Sequence, residues 1–178
     1  MASAAAGLTE PQVLAHTKRR LFPEADDGYV VVDTQFSSDR WLASRTVDPE
    51  ITETLSPFNH VRVGTGYPDL VGVRTLDDDL LAVDRLGDDP PLIVVEAKGR
   101  TDRGHVDIER GVVQAHDRLH EANAAYVAAP VTAVSRSART LARELNVGVL
   151  GVDADGGVEA VERPRVVGNR TTTETSAI

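Results

Sequence analysis

Three segments of the chain place apolar residues at helical spacing. The first spans residues 9–21 and opens with Thr9 and Gln12, the pairing that forms a capping box at a helix start. The second, residues 107–123, repeats apolar positions at spacings of three and four, which predicts an amphipathic helix. The third covers residues 135–145 with the same period. The pattern therefore predicts one helix near the start of the chain and two in its second half.

Runs of branched aliphatic residues predict the strands. They cover residues 29–36, 67–74, 80–83, 92–98, 125–129 and 147–152, with a further candidate at 40–47 that could pair with the first. Residues 48–60 contain two prolines and no clear period, so we expect a loop there. The order of helices and strands predicts an α/β fold with a central mixed β-sheet flanked by helices.

The length of 178 residues suits one domain with its own core. We expect that domain at residues 9–162, after a flexible N-terminus at 1–8 and before a polar, threonine-rich, disordered tail at 163–178. The absence of cysteine excludes disulfides, a cysteine-ligated zinc site and thiol catalysis. No apolar run is long enough for a membrane helix, and the first residues do not resemble a secretion signal. These features predict a cytoplasmic protein.

The formal net charge is −9, which by itself argues against a nucleic-acid partner, because phosphate binding depends on Lys and Arg. Only Lys18 and Lys98 are lysine among the 19 basic residues, and acidic clusters recur in predicted loops. This composition is typical of proteins from a halophilic archaeon. In molar salt the Debye length is about 3 Å, so net charge then says little about DNA binding. We therefore predict a halophilic origin and keep DNA as a candidate partner.

The strand predicted at residues 92–98 ends on two charged side chains. Because side chains alternate faces along a strand, Glu96 and Lys98 point to the same side as Leu92 and Val94. A buried ion pair is a poor stabiliser, since desolvation offsets most of its attraction, so this placement favours a functional site. Lysine also suits a site because its compact charge can approach a single water molecule.

A second acid begins an earlier strand, where Asp69 directly follows Pro68. Pro68-Asp69, then a predicted hairpin, then Glu96-Ala97-Lys98 resembles the signature of the PD-(D/E)xK nuclease superfamily, which includes restriction endonucleases, Holliday-junction resolvases and RecB-like nucleases. The resemblance extends over about residues 9–153. It implies a restriction-endonuclease-like core, in which the aspartate and the E-x-K motif lie on neighbouring strands and a helix packs across them.

The resemblance implies a Mg²⁺-dependent endonuclease or other phosphodiesterase that hydrolyses DNA, with Mn²⁺ able to substitute. Asp69, Glu96 and the backbone carbonyl of Ala97 would hold the metal ion, and Lys98 would orient the attacking water and stabilise developing charge. Two neighbouring carboxylates suit a hard cation with oxygen ligands. The resemblance leaves open the DNA structure or sequence cleaved, endo or exo action, a homodimer, and a helicase or methylase partner.

Two further positions match looser parts of the family pattern. Glu10 faces inward from the first predicted helix, where many members carry an additional acid, although the helix dipole alone also favours a first-turn glutamate. Gln114 stands where RecB-like members have a glutamine followed four residues later by tyrosine. Here Arg118 occupies the later position, so the subfamily is not assigned.

The candidates for contact with DNA are Arg100, Arg118, Arg136, Arg139 and Arg143. Arg100 follows the E-x-K strand, as does His105. Arg118 shares a helical row with Gln114, which would bring it near a phosphate. Arg136, Arg139 and Arg143 recur along one side of a later helix, although most rows of this kind are solvated faces.

Three alternatives remain open on the sequence alone. In the simplest, Asp69 caps a turn and Glu96 only pairs with Lys98. In the second, the chain is a non-catalytic nuclease-like domain that binds DNA or a protein. In the third it is a zinc hydrolase built on His116 and His120, whose spacing resembles that of a zinc-binding helix but which lack a third ligand motif.

Overall fold

The computed structural model describes residues 7–23, 29–37, 49–77, 79–82, 90–100 and 106–168. Its elements, in chain order, are α1 (Glu10–Leu21), β1 (Tyr29–Val32), α2 (Pro49–Leu55), β2 (Leu70–Val73), β3 (Leu92–Ala97), α3 (Ile108–Arg118), β4 (Ala124–Pro130), α4 (Arg136–Leu145), β5 (Gly148–Val152) and β6 (Val158–Glu162). Short 3₁₀ helices cover Thr34–Ser37 and Val131–Ala133. None of the helices in these ranges is both long enough and apolar enough to cross a bilayer.

The six described strands form one sheet in the order β1-β2-β3-β4-β5-β6. The strand β2 is antiparallel to both of its neighbours, β1 and β3. The strands β3, β4 and β5 are parallel, and β6 returns antiparallel to β5. The helices α3 and α4 supply the crossovers that parallel neighbours require. The predicted α/β fold with a mixed sheet flanked by helices is confirmed, and β3 is the strand at which the sheet changes from antiparallel to parallel pairing.

Each face of the sheet buries its own hydrophobic core. Ile93, Val95 and Ala97 belong to the core that contains α1, whereas Val94 lies in the core that contains α3 and α4. Glu96 is buried on β3 in the same alternation as Val94. The predicted alternation along this strand is therefore confirmed, and it directs Glu96 toward α3.

Caps fix the starts of the helices. The backbone N–H of Thr9 donates to Gln12 Oε1 at 2.9 Å, as expected for the predicted capping box of α1. Ser135 Oγ accepts from the Ala138 N–H at 3.1 Å and begins α4. The helix α3 begins after Asp107 and ends at Arg118, earlier than the predicted end at residue 123, because the chain turns there to enter β4.

The prediction of a loop at residues 48–60 was wrong, because α2 occupies Pro49–Leu55. Proline is tolerated in the first turn of a helix, so the proline that suggested a loop instead begins an element. At the other end, Lys18 Nζ donates to the carbonyls of Thr54 and Ser56 at 2.6 and 2.5 Å, which satisfies backbone groups at and just beyond the C-terminus of α2. Burial lowers the pKa of Lys18.

Several predicted strand limits also change. The first strand ends at Val32 and passes into a 3₁₀ helix. Of the strand predicted at 80–83, residues 80–82 lie in an irregular segment, where Leu80 and Leu81 fill the core without joining the sheet. The strand β6 was not predicted, because it pairs with β5 alone and has no fully buried residue. The candidate strand at 40–47 lies outside the described residues.

After β6 the chain contacts the residue that precedes β4. Pro164 is buried, and the N–H of Val167 donates to the carbonyl of Asn123 at 2.9 Å. The side chain of Asn123 also donates to the Val167 carbonyl at 2.8 Å and accepts from the Leu92 N–H at 2.8 Å. These bonds attach residues 163–168 to the start of β3.

We predict that Gly72→Ala destabilises the protein by about 1–3 kcal/mol, the usual cost of overpacking a close-packed core. A Cβ at Gly72, in β2, would collide with the ring of Phe22, which is itself buried. Gly168→Ala is the matched control, because nothing lies within 4 Å of its Cβ position. Chemical denaturation of both variants measures the difference, and equal stabilities would contradict the packing described here.

Candidate functional site

The hairpin of β2 and β3 brings two acids together. Leu70 pairs with Val95, and the same register places Asp69 opposite Glu96. Directly opposed residues of antiparallel strands have Cβ atoms about 4.5–5.5 Å apart and point to the same face. Both residues are buried, with 5% exposure for Asp69 and 4% for Glu96. The structure thus places the two predicted acids side by side at the end of the hairpin.

A third acid extends this arrangement onto β1. Val32 pairs with Leu70, and the Asp33 N–H donates to the Asp69 carbonyl at 2.9 Å, which continues the ladder by one residue. Asp33 is buried, with 5% exposure. Asp33, Asp69 and Glu96 therefore lie next to one another across three neighbouring strands, and we call these three residues the acid row.

Hydrogen bonds hold the Asp69 carboxyl in place. Its Oδ1 accepts from Gln35 Nε2 at 3.0 Å, and its Oδ2 accepts from the Ala97 N–H at 2.7 Å. Burial raises the pKa of Asp69 well above its ordinary value, and the charges of Glu96 and Glu10 raise it further, while the Ala97 hydrogen bond opposes the rise. Ionising Asp69 is therefore costly here unless a cation approaches.

Glu96 already has a cationic partner. Its Oε1 accepts from Arg118 Nε at 3.1 Å, and only 6% of the Glu96 side chain and 10% of the Arg118 side chain are exposed. Burial raises the pKa of Glu96, although the charge and hydrogen bond of Arg118 and the charge of Lys98 act in the opposite direction. The partner that bonds to Glu96 is thus an arginine of α3, whereas we had expected Arg118 to contact a phosphate.

A tight turn holds Arg118 against Glu96. Gly66 lies so close that a Cβ there would be 2.6 Å from Arg118 Nη1. Gly64 has a φ of 65°, which favours glycine, and its Cβ position is 3.0 Å from the Asp117 carbonyl. Thr65 between them donates to Asp117 Oδ2, which also accepts from Arg118 Nη1 at 3.3 Å. The Gly-Thr-Gly sequence therefore lets the turn cover the end of α3.

Lys98 lies against α3 at a helical glycine. A Cβ on Gly111 would be 3.0 Å from both Cγ and Cε of Lys98, so this side chain runs across the helix where there is no competing side chain. The charge of Lys98 lowers the pKa of both Asp69 and Glu96. The charge of Lys98 thus acts on both acids, and its contact with α3 places it on the face of β3 that the alternation predicted for Glu96 and Lys98.

Gln114 lies on the same row of α3 as Gly111 and Arg118, between the contacts that these two make with β3. Its Oε1 is buried and has no hydrogen-bond partner among the residues that the structure describes. A buried acceptor without a donor is costly, so this oxygen is suited to a donor supplied from outside the chain, such as a water molecule.

Glu10 approaches the acids from the opposite face of the sheet. The first turn of α1 packs so closely on Gly99, just beyond β3, that a Cβ there would collide with the Glu10 backbone. The charge of Glu10 raises the pKa of both Asp69 and Glu96. The structure therefore brings both of the looser candidates, Glu10 and Gln114, to this end of the hairpin.

The remaining arginine candidates have different surroundings. The N–H of Arg100 donates to the Leu8 carbonyl at 2.9 Å, which keeps it next to the end of β3. Arg139 and Arg143 both bond to Glu162 on β6, at the far edge of the sheet, and Arg136 is exposed in the first turn of α4. The structure does not bring these three arginines to the acid row. His105 lies outside the described residues.

The two histidines of the zinc alternative also lie apart from the acid row. His116 Nδ1 bonds to the Leu145 carbonyl at 3.0 Å, and His120 is exposed beyond the end of α3. Within the described ranges, no three His, Asp or Glu side chains are arranged to enclose a metal ion. The described residues therefore offer these histidines no third ligand.

The donor set at Asp69 and Glu96 nevertheless suits Mg²⁺. This ion keeps several waters and is commonly bound through one or two carboxylates together with phosphates of the substrate, so a complete protein cage is not needed. Each carboxylate has lone pairs beyond the hydrogen bonds described above. The Ala97 carbonyl, the third predicted ligand, belongs to the residue whose N–H already bonds to Asp69.

Four residues near the site were not identified from the sequence: Asp33, Gln35, His60 and Tyr67. Asp33 Oδ1 lies 2.7 Å from His60 Nδ1, and Asp33 Oδ2 accepts from the Gln35 N–H at 3.4 Å. The rings of His60 and Tyr67 are stacked, with centroids 3.6 Å apart and planes inclined by 12°. The only sequence signal was an acid directly after a valine run, and finding it required the register of β1 against β2.

Comparison of the chain with protein-family models, with curated proteins and with solved structures finds no match.

We predict that Arg118→Ala lowers the free energy of unfolding by about 3–5 kcal/mol, because it leaves the buried Glu96 carboxylate without its partner. Lys98→Ala should cost much less, since Lys98 is only partly buried and Glu96 keeps its bond to Arg118. Denaturant titrations of the two variants compare these effects directly. A larger loss for Lys98→Ala would mean that Lys98, and not Arg118, supports Glu96.

The raised pKa of Asp69 predicts how stability without metal depends on pH. Between the ordinary carboxyl range, about pH 4, and the raised pKa, the folded protein binds more protons at Asp69 than the unfolded chain does. The contribution of this residue to stability therefore falls as pH rises through that window. In EDTA, the unfolding free energy of the wild type relative to Asp69→Asn should decline as the pH rises above the ordinary carboxyl range, about pH 4. A difference that rises with pH would contradict the burial of Asp69.

Proposed function

We propose that the protein is a Mg²⁺-dependent nuclease that hydrolyses phosphodiester bonds in DNA. The observation that carries the proposal is the placement of Asp69 opposite Glu96 at the end of a buried hairpin, with Lys98 acting on both. A chain gains no stability from burying two neighbouring acids, so the arrangement indicates a site that receives a cation.

The order of the elements supports membership of the PD-(D/E)xK superfamily as part of this proposal. An N-terminal helix precedes three antiparallel strands, the aspartate precedes the second strand, and the E-x-K motif ends the third. The helix α3 then packs across β3 and leads into the parallel strand β4. This order supports the proposal of a restriction-endonuclease-like core.

Asp69, Glu96 and the Ala97 carbonyl are the residues that would hold Mg²⁺. When bound, this ion would polarise the scissile phosphate and lower the pKa of a bound water. Lys98 would orient the attacking water and stabilise the charge that develops on the phosphate. Gln114 would accept a hydrogen bond from that water or a neighbouring one through its unpartnered Oε1.

The ion pair between Glu96 and Arg118 favours a second candidate function. A guanidinium already neutralises one of the two acids, as it would in a non-catalytic nuclease-like domain that binds DNA or a protein. Glu96 keeps its second oxygen for a metal ion, and Asp69 has no cation bonded to it in the described ranges. We therefore rank the nuclease first, and metal binding separates the two functions.

If the site binds Mg²⁺, millimolar Mg²⁺ should raise the melting temperature of the wild type relative to EDTA, because a ligand of the folded state stabilises it. Asp69→Asn should lose most of this increase. The exposed Glu159, on β6, supplies a matched carboxylate control, and Glu159→Gln should respond as the wild type does. No response of the wild type to Mg²⁺ or Mn²⁺ would favour the non-catalytic domain.

Lys98→Ala should reduce DNA cleavage by about 10²–10³-fold, as expected for the loss of one group that stabilises transition-state charge. Lys98→Arg should not restore the rate, because its planar head cannot replace a compact amine. The assay uses linear, nicked, branched and single-stranded DNA in molar KCl, with and without Mg²⁺, and melting curves establish that each variant is folded. Unchanged cleavage in either folded variant would refute the assignment of Lys98.

A further inference from the structure

A histidine is held beside the acid row by a buried carboxylate and a stacked ring. Asp33 Oδ1 lies 2.7 Å from His60 Nδ1, so one oxygen of the buried carboxyl is paired with this ring nitrogen. The ring of His60 is also stacked on Tyr67 at a centroid distance of 3.6 Å. Two independent contacts thus fix the orientation of a side chain that is itself 52% exposed.

Of the three side chains in this arrangement, His60 and Tyr67 are exposed and can contact a ligand. Asp33 is buried, whereas Tyr67 is 43% exposed and His60 is more exposed still. With Nδ1 committed to Asp33, Nε2 on the other side of the ring is the nitrogen left for an external partner. The cationic form of an imidazole donates from both nitrogens, so in that form Nδ1 can bond to Asp33 while Nε2 donates to an anionic oxygen such as that of a phosphate.

His60 and Asp33 lie next to the proposed nuclease site. Asp33 is the neighbour of Asp69 in the acid row, and Gln35 connects the two, since its N–H bonds to Asp33 and its side chain bonds to Asp69. His60 bonds to Asp33, and Asp33 is the neighbour of Asp69, so a DNA strand that runs across the acid row would pass His60 next to the site at Asp69 and Glu96.

We propose that His60, oriented by Asp33 and Tyr67, forms a subsite for a DNA phosphate next to the scissile one. His60 is the binding residue, and Asp33 and Tyr67 are positioning residues. The subsite rests on the proposed nuclease function, since its ligand is the same DNA strand. It sets where along the strand the cleaved bond is placed.

A chemical double-mutant cycle tests the subsite. The probe is a fluorescein-labelled DNA of the form that the wild type cleaves, in which one phosphate at a time near the cleaved bond is replaced by an uncharged methylphosphonate. Affinity is measured by anisotropy with Ca²⁺ in place of Mg²⁺, because Ca²⁺ also takes oxygen ligands. A methylphosphonate at one position next to the cleaved bond should weaken binding to the wild type about tenfold, as expected for the loss of a charge-assisted hydrogen bond.

His60→Ala should weaken binding of the unmodified DNA and abolish the extra cost at that position. His120→Ala is the matched control, because it removes an exposed histidine beyond α3 and should keep the cost intact. Tyr67→Phe should also keep this loss of affinity at the substituted position. Tyr67→Leu, which removes the stacked ring, should reduce the loss. Melting curves establish that each variant is folded.

A position-specific cost that persists in His60→Ala would overturn the subsite, as would a wild type that binds every substituted DNA equally well. Either result leaves the nuclease proposal intact, since cleavage of unmodified DNA by the wild type is measured separately. A wild type that neither cleaves nor binds any DNA would instead refute the nuclease proposal, and the subsite with it.

Discussion

Two buried carboxylates side by side are the feature on which the rest of this structure depends. Their proximity follows from the register of β2 against β3. The Ala97 N–H and the Gln35 side chain bond to Asp69, while Arg118 bonds to Glu96. A fold selected only for stability would place apolar side chains here, because such pairs resist desolvation.

The neighbouring elements differ in how they respond to that charge. The helix α3 contributes a cation at Arg118, a gap at Gly111 and an unpartnered oxygen at Gln114, all on one row. The helix α1 instead brings a further acid, Glu10, against the same strand end. One helix therefore compensates the negative charge and the other increases it, so the site remains short of positive charge and suited to a cation from solution.

The sequence was informative where a single element determined the outcome. Alternation along residues 92–98 predicted the shared face of Glu96 and Lys98, and the capping residues predicted the start of α1. The predicted loop at residues 48–60 was wrong because proline occurs both in loops and in the first turn of a helix, and Pro49 begins a helix. The strand β6 was not predicted because it is only partly buried.

Parts of the site also depend on pairings between distant residues, which no local pattern encodes. The ion pair of Arg118 with Glu96 and the contact of His60 with Asp33 follow from the sheet and from the turn at Gly64 to Gly66. A helical wheel placed Arg118 on the correct row of α3 but could not identify its partner. The alternative in which Glu96 only pairs with Lys98 named a different partner from Arg118, the residue that bonds to Glu96 in the structure.

The strand order of the sheet has a consequence for the way the chain can be synthesised. Because the order in space repeats the order along the chain, each strand can join an edge that earlier residues have already formed. Such local pairing keeps the entropy of loop closure small and favours rapid folding. All the residues assigned to the candidate site precede β4, so a chain emerging from the ribosome contains all of them before its last three strands have been synthesised.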